Sequence, residues 1–133
     1  MTAGFRDLVL VPLDVTHQLD LLSLRKNLPD SDLGRFCHSI SSFYVAAYFH
    51  LGHSAVPIHD PACVAYLLRP DIFKGRRARV DVETEGRLTK GQSVVDWCGQ
   101  TGRPENCKVL LEVNSAEFER LFVESLRDVQ EEG

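Results

Sequence analysis

The segment PIHDPACVAYLLRPD, residues 57–71, places a histidine and an aspartate where a loop becomes a helix. Asp60 is suited to cap the helix, because its carboxylate accepts hydrogen bonds from free N–H groups of the first turn, and Pro61 fits the first helical position. Residues 62–68 carry no formal charge and are almost wholly apolar, which predicts a buried helix. His59 and Asp60 therefore stand at the mouth of that helix, either as site residues or as an ordinary loop and helix start.

The segments upstream indicate a strand and a long helix. Residues 8–15 form a short apolar, β-branched run that predicts a buried strand, although Pro12 removes one ladder donor. A helix start follows at residues 29–32, and Gly52 marks the helix end. Between them, apolar residues recur on one helical face: Leu33, Phe36, Cys37, Ile40, Phe43, Tyr44, Ala47, Tyr48 and Leu51.

Three strands and a last helix are predicted downstream. Residues 79–85 alternate between apolar and acidic side chains, while residues 93–97 and 108–113 are short apolar runs. Asn114, with Glu117 three residues later, resembles a capping box. The final helix presents one apolar face, and the last four residues are expected to fray. That face consists of Phe118, Leu121, Phe122, Leu126 and Val129.

Intermixed helices and strands favour an α/β fold whose sheet is partly antiparallel. In open α/β sheets, ligands bind beyond the carboxyl ends of strands. Thr16 and His17 follow the first predicted strand, and His59 and Asp60 also stand at an element end. We therefore expect both pairs to face one crevice.

Length and charge exclude several classes of protein. A chain of 133 residues fits one domain with a real core. The net charge of −4 argues against nucleic-acid binding, and the basic segment 74–77 is interpreted as a solvated loop. The apolar runs are too short for a transmembrane helix, which needs about 20 residues, so no membrane partner is predicted.

The cysteines and histidines do not indicate zinc chemistry. Two of the four cysteines lie on apparent apolar helix faces, which favours a reduced, cytoplasmic setting, and the absence of CxxC pairs argues against a zinc site. Cys98 and Cys107 flank a Gly/Pro-rich loop, where they either pair, bind metal or stay free. A zinc hydrolase built on His50, His53 and His59 is disfavoured, because a helical HExxH is missing.

Several sequence blocks occur in an order that resembles a known family, the inosine/uridine-preferring nucleoside hydrolases, in its C-terminal part. The resemblance covers essentially the whole chain, so residues 1–133 are interpreted as that portion of a hydrolase domain. It implies a partial, Rossmann-like mixed sheet flanked by helices. The blocks are LDVTHQ at 13–18, HDP at 59–61 with VAYL at 64–67, VETEG at 82–86, TKGQSVVDW at 89–97 and FERLF at 118–122.

The resemblance implies cleavage of the N-glycosidic bond between ribose and a purine or pyrimidine base. The family holds a calcium ion through several aspartates, and Asp60 matches its C-terminal calcium ligand. His59 matches the histidine that faces the leaving base, which suits a side chain able to donate a proton near neutral pH. Tyr44 and Tyr48 resemble substrate-proximal tyrosines, with core packing as the alternative.

Other residues are given structural interpretations. His17 is expected to shape the end of a strand, and a direct catalytic role is its alternative. His50 and His53 are expected to be solvated, and Trp97 is expected to pack rather than stack on a base. Glu83 and Glu85 are interpreted as the exposed face of a strand.

The family's Asp-rich segment, which supplies most calcium ligands and the general base, has no counterpart in this sequence. We therefore expect the chain alone to be inactive, because calcium takes 6–8 oxygen ligands. Three explanations stay open: a fragment of a hydrolase, one half of a split hydrolase, or a degenerate relative that serves as a non-catalytic interaction module. Exposed sheet edges predict self-association as a homo-oligomer, or association with the missing N-terminal half.

Overall fold

A computed structural model of the chain describes residues 4–128 and shows the predicted mixed α/β architecture. Four strands form one sheet in the order β1-β4-β2-β3, with β1 parallel to β4 and the other neighbours antiparallel. A 3₁₀ turn joins α4 to β2. The elements are β1 Val9–Leu10, α1 Leu13–Thr16, α2 Leu21–Lys26, α3 Asp32–His50, α4 Asp60–Leu68, β2 Phe73–Val82, β3 Ser93–Asp96, β4 Cys107–Val113 and α5 Ser115–Asp128.

The predicted strand over residues 8–15 is wrong in its second half. The strand stops at Leu10, and Pro12 then caps helix α1 with a φ of −78° and a ψ of 169°. Proline cannot donate to a strand ladder, while its carbonyl accepts from the backbone N–H groups of Val15 and Thr16. Helix α2, which Asp20 caps through its side chain, was not predicted.

Helices α3 and α4 are present as predicted, but their apolar side chains are not buried as predicted. Ser31 caps α3 by accepting from the backbone N–H of Gly34, at 3.0 Å. In α4 only Ala62 and Ala65 are buried, so the expectation of a wholly buried helix is wrong. Phe36, Ile40 and Phe43 are exposed along one side of α3, and Val64, Leu67 and Leu68 are exposed on α4; these six side chains are here called the α3–α4 apolar face.

The basic segment 74–77 lies in strand β2 rather than in a loop. Its charges are balanced across the sheet, since Lys74 forms an ion pair with Glu112 at 2.8 Å. Strand β2 ends at Val82, so the expectation that Glu83 and Glu85 form an exposed strand face is also wrong. Glu83 instead builds a turn, because its carboxylate accepts from two backbone N–H groups, and these lower its pKa.

The sheet has an apolar core on each side. Leu110 of β4 faces the helices, where it packs with Phe118 of α5. Val109 faces the opposite side, where Trp97 packs against it beneath the guanidinium of Arg76, 4.5 Å from the ring centre. The prediction that Trp97 is a packing residue is confirmed. Asn114 caps α5 as predicted, accepting from the N–H of Glu117 at 3.2 Å.

The backbone before α4 is fixed to the segment between α1 and α2. Leu21 donates to the carbonyl of Val56 at 2.8 Å, and Ile58 donates to the carbonyl of Leu19 at 3.2 Å. Val56, Ile58 and Leu19 are buried. These contacts hold the start of α4 next to the end of α1, which is how the two predicted site segments meet.

The four cysteines are free, and Cys107 is buried while Cys98 is exposed, so the two do not pair. Within residues 4–128, no helix has both the length and the apolar character required to cross a membrane. Val129 and the tail 130–133, assigned above to the last helical face and to a frayed end, lie outside the described residues.

Candidate active site

Helices α2 and α3 and the start of α4 enclose a cleft of about 460 Å³. Its walls are mainly apolar, and the polar or titratable side chains among them are Cys37, Ser41, Tyr44, His59 and Asp60. A second space of about 390 Å³ lies on the other side of Pro57 and is lined by His17, among others. An apolar site with a few convergent polar groups is typical of small-molecule binding.

Asp60 does not cap α4, contrary to the sequence expectation. His59 occupies the capping position with φ −103° and ψ −71°, and Asp60 is the first helical residue, followed by Pro61. The start of α4 has no side-chain cap, and within residues 4–128 the Asp60 carboxylate has no hydrogen-bond or ion-pair partner. It is exposed at the rim of the cleft, and its oxygens are therefore available to a ligand.

His59 is half-buried, and its ring is held from the α1 side. Its Nδ1 lies 2.8 Å from the hydroxyl oxygen of Thr16, which is 3% exposed. The ring of His17 packs beside it, with 5.7 Å between ring centres and a tilt of 55°. These contacts bring residues 16 and 17 against His59, but His17 lines the second space whereas His59 and Asp60 line the cleft, so the expectation that both pairs face one crevice is wrong.

The rings of the two tyrosines on α3 pack against each other at a tilt of 52°, with ring centres 4.7 Å apart. Tyr44 lines the cleft beside Asp60, and its hydroxyl donates to the carbonyl of Pro57 at 3.4 Å. Desolvation, then Tyr48 and the negative charge of Asp60, raise the pKa of Tyr44 to about 12. Tyr44 is therefore a neutral donor near neutral pH, whereas Tyr48 lines the second space, against the ring of His53.

The remaining candidate residues do not gather into a metal centre. His50 ends α3 and His53 stacks on Tyr48, and both are exposed. Across the part of the chain that the structure describes, no group of three or more His, Cys, Asp or Glu side chains is placed to hold a metal ion. Asp60 is thus a single carboxylate, and it supplies far fewer than the 6–8 oxygens that calcium takes.

Sequence comparison places this arrangement in a family. The model of the inosine-uridine preferring nucleoside hydrolases matches residues 1–120. The chain belongs to that family. It is 33% identical over 121 residues to the pyrimidine-specific ribonucleoside hydrolase RihA of Shewanella woodyi, and 35% identical over 124 residues to the non-specific ribonucleoside hydrolase RihC of Escherichia coli O157:H7. These alignments cover 86% and 90% of the chain.

Solved structures of nucleoside hydrolases have the same fold. A plant nucleoside hydrolase, PpNRh1, superposes with a TM-score of 0.75 at 25% identity over 90% of the chain. A purine-preferring ribonucleoside hydrolase from Gardnerella vaginalis gives a TM-score of 0.73 at 25% identity over 92% of the chain. The chain spans about two fifths of these proteins, 41% and 40%, and similar shares of RihA and RihC, 38% and 39%.

The contact that the sequence did not reveal is the one between Thr16 and His59. The two residues are 43 positions apart, and Thr16 was interpreted only as part of a strand end. Its burial follows from helix α1, which turns the hydroxyl toward α4. The only sequence signal for this contact was the position of Thr16 directly before His17 in the block at residues 13–18.

Proposed function

We propose that this chain forms the leaving-base wall of a ribonucleoside N-ribohydrolase site, with a nucleoside as substrate. The observation that carries the proposal is the His59–Asp60 pair at the start of α4, which opens on a cleft in a member of the nucleoside hydrolase family. Four free cysteines favour a cytoplasmic location for this activity.

His59 is assigned the role of proton donor. When the bond between the ribose C1′ and the base nitrogen breaks, its electron pair passes to the base, while the oxygen of a water molecule forms the new bond to C1′ and that water gives up a proton. A proton delivered to the base from the imidazolium neutralises that charge, a contribution typically worth about 10²- to 10⁴-fold in rate. The Tyr44 hydroxyl gives its hydrogen to Pro57, so it is suited to accept a hydrogen bond from a hydroxyl or amino group of the substrate.

Asp60 is assigned to calcium only as one ligand of an incomplete set. A carboxylate is a hard oxygen donor of the kind calcium prefers, but one such group does not make a site. The described residues therefore do not fit a calcium ion on their own. We infer that this polypeptide alone does not hydrolyse nucleosides at an enzyme-like rate.

The proposal is tested by supplying the part of a nucleoside hydrolase that has no counterpart in this chain. The chain is co-expressed with the three fifths of E. coli RihC left uncovered by the 39% alignment, and ribose release from inosine and uridine is measured with calcium present. We expect no turnover by the chain alone and turnover by the complemented pair. Loss of that turnover in His59→Ala and Asp60→Ala, but not in His53→Ala, supports the site. Turnover that survives both substitutions contradicts it.

A second candidate is an interaction module, and the α3–α4 apolar face favours it. Phe43 is 84% exposed and Leu67 is 80% exposed, which is unusual for aromatic and aliphatic side chains of helices. We propose that the occupant of this face is a polypeptide equivalent to the remaining three fifths of a nucleoside hydrolase. The support is the 38–41% share of the relatives that the chain covers.

Co-purification distinguishes the two candidates. A Phe43→Lys variant is expected to lose binding to the complementing RihC part, because a charge replaces an apolar contact. If the complex forms but never releases ribose, the chain is a module rather than an enzyme part. If Phe43→Lys binds as well as the original chain, the face is not the interface.

A further inference from the structure

We infer that Thr16 is a positioning residue for His59, with its hydroxyl oxygen accepting a hydrogen bond from Nδ1–H of the imidazole. Nε2 is then the nitrogen without a hydrogen in the neutral ring. The inference rests on the proposed function for its catalytic meaning, while the hydrogen bond itself is a property of the chain.

The Thr16 hydroxyl has both an acceptor, the carbonyl of Leu13, and a possible donor, Nδ1–H of His59, within reach. The Thr16 oxygen lies 2.8 Å from His59 Nδ1 and 3.4 Å from the carbonyl oxygen of Leu13. A hydroxyl has one hydrogen and two lone pairs. Threonine in a helix commonly turns its hydrogen to the carbonyl three residues earlier, and this leaves a lone pair for Nδ1–H.

Burial makes the contact specific to Thr16. The Thr16 side chain is 3% exposed, so water does not easily replace its hydroxyl. His17 stacks beside His59 but is itself exposed, and the contact between the two is through their rings. The hydrogen bond that an imidazole makes at one nitrogen decides which nitrogen carries the proton at the other.

Imidazole ¹⁵N NMR on the full chain tests the inference directly. The chain is labelled with ¹⁵N-histidine and measured at about pH 9, where ordinary histidines are neutral. A His59→Gln variant assigns the His59 signals among the five histidines. We expect Nδ1 in the protonated range and Nε2 in the unprotonated range, in the original chain and in Thr16→Ser.

Thr16→Val removes the acceptor while keeping the branched shape, and the preference for Nδ1–H should be lost. A wild-type spectrum with Nε2 protonated and Nδ1 bare overturns the inference, as does a Thr16→Val spectrum identical to wild type. If Thr16→Val does not fold, the wild-type and Thr16→Ser spectra still decide it. Because no substrate is present, failure of this inference and failure of the proposed function are separate results.

Discussion

The α3–α4 apolar face should make the isolated chain self-associate, and Phe43→Lys should weaken that association. Burying a phenylalanine side chain stabilises by about 1.5–3 kcal/mol relative to leaving it in water. The side chain is 84% exposed, so about 1.3–2.5 kcal/mol is available per copy. A symmetric dimer buries two such side chains, and losing about 2.6–5 kcal/mol raises the dissociation constant by about 10²- to 4 × 10³-fold.

Sedimentation velocity over a range of chain concentrations measures this change. The matched control is Leu88→Lys, because Leu88 is 99% exposed in the loop between β2 and β3, away from the face. Phe43→Lys should shift the chain toward monomer, and Leu88→Lys should not. A chain that is monomeric at every concentration refutes the reasoning, and so does an equal effect of the two substitutions.

Two further predictions concern residues of the sheet, Gly75 in β2 and Asp96 at the end of β3. Gly75→Ala should lower stability by about 3 kcal/mol and the melting temperature by about 10 °C, because the new Cβ would lie 2.8 Å from Leu110 Cα. Lys74→Ala next to it should have little effect on the same melt. The pKa of Asp96 is lowered to about 2, chiefly by the Thr101 backbone N–H, so its charged form stabilises the fold above about pH 4 and that contribution disappears as the pH falls toward 2. Thermal melts followed by fluorescence of the single tryptophan, Trp97, measure the difference in melting temperature between wild type and Asp96→Asn. This difference should shrink as the pH falls from about 4 to 2, and a difference that stays constant would contradict the assignment.

Local signals in the sequence predicted most elements but not their burial. The Ser31 cap and Gly52 bounded α3 correctly, because capping depends on neighbouring residues only. Periodicity marked the apolar side of α3, yet Phe43 on that side faces solvent. A pattern shows which side chains are apolar, and it does not show whether anything packs on them.

The candidate site residues stay a prediction, and the contacts between them were not anticipated from the sequence. His59 and Asp60 were identified from their place at a helix start, and the cleft beside them agrees with that prediction of position. The prediction that Asp60 caps α4 is wrong by one residue, because His59 takes the capping position and Asp60 is the first residue of the helix. The contact from Thr16 depends on how α1 turns after Pro12, which tertiary packing decides.

The most direct test of the central claim is a comparison of leaving groups. The complemented pair is assayed with inosine and with 4-nitrophenyl riboside, whose leaving group departs without a proton. His59→Ala should lower kcat on inosine by about 10²- to 10⁴-fold and leave the nitrophenyl substrate nearly unaffected. An equal loss on both substrates would contradict the assignment of His59 as the proton donor to the base.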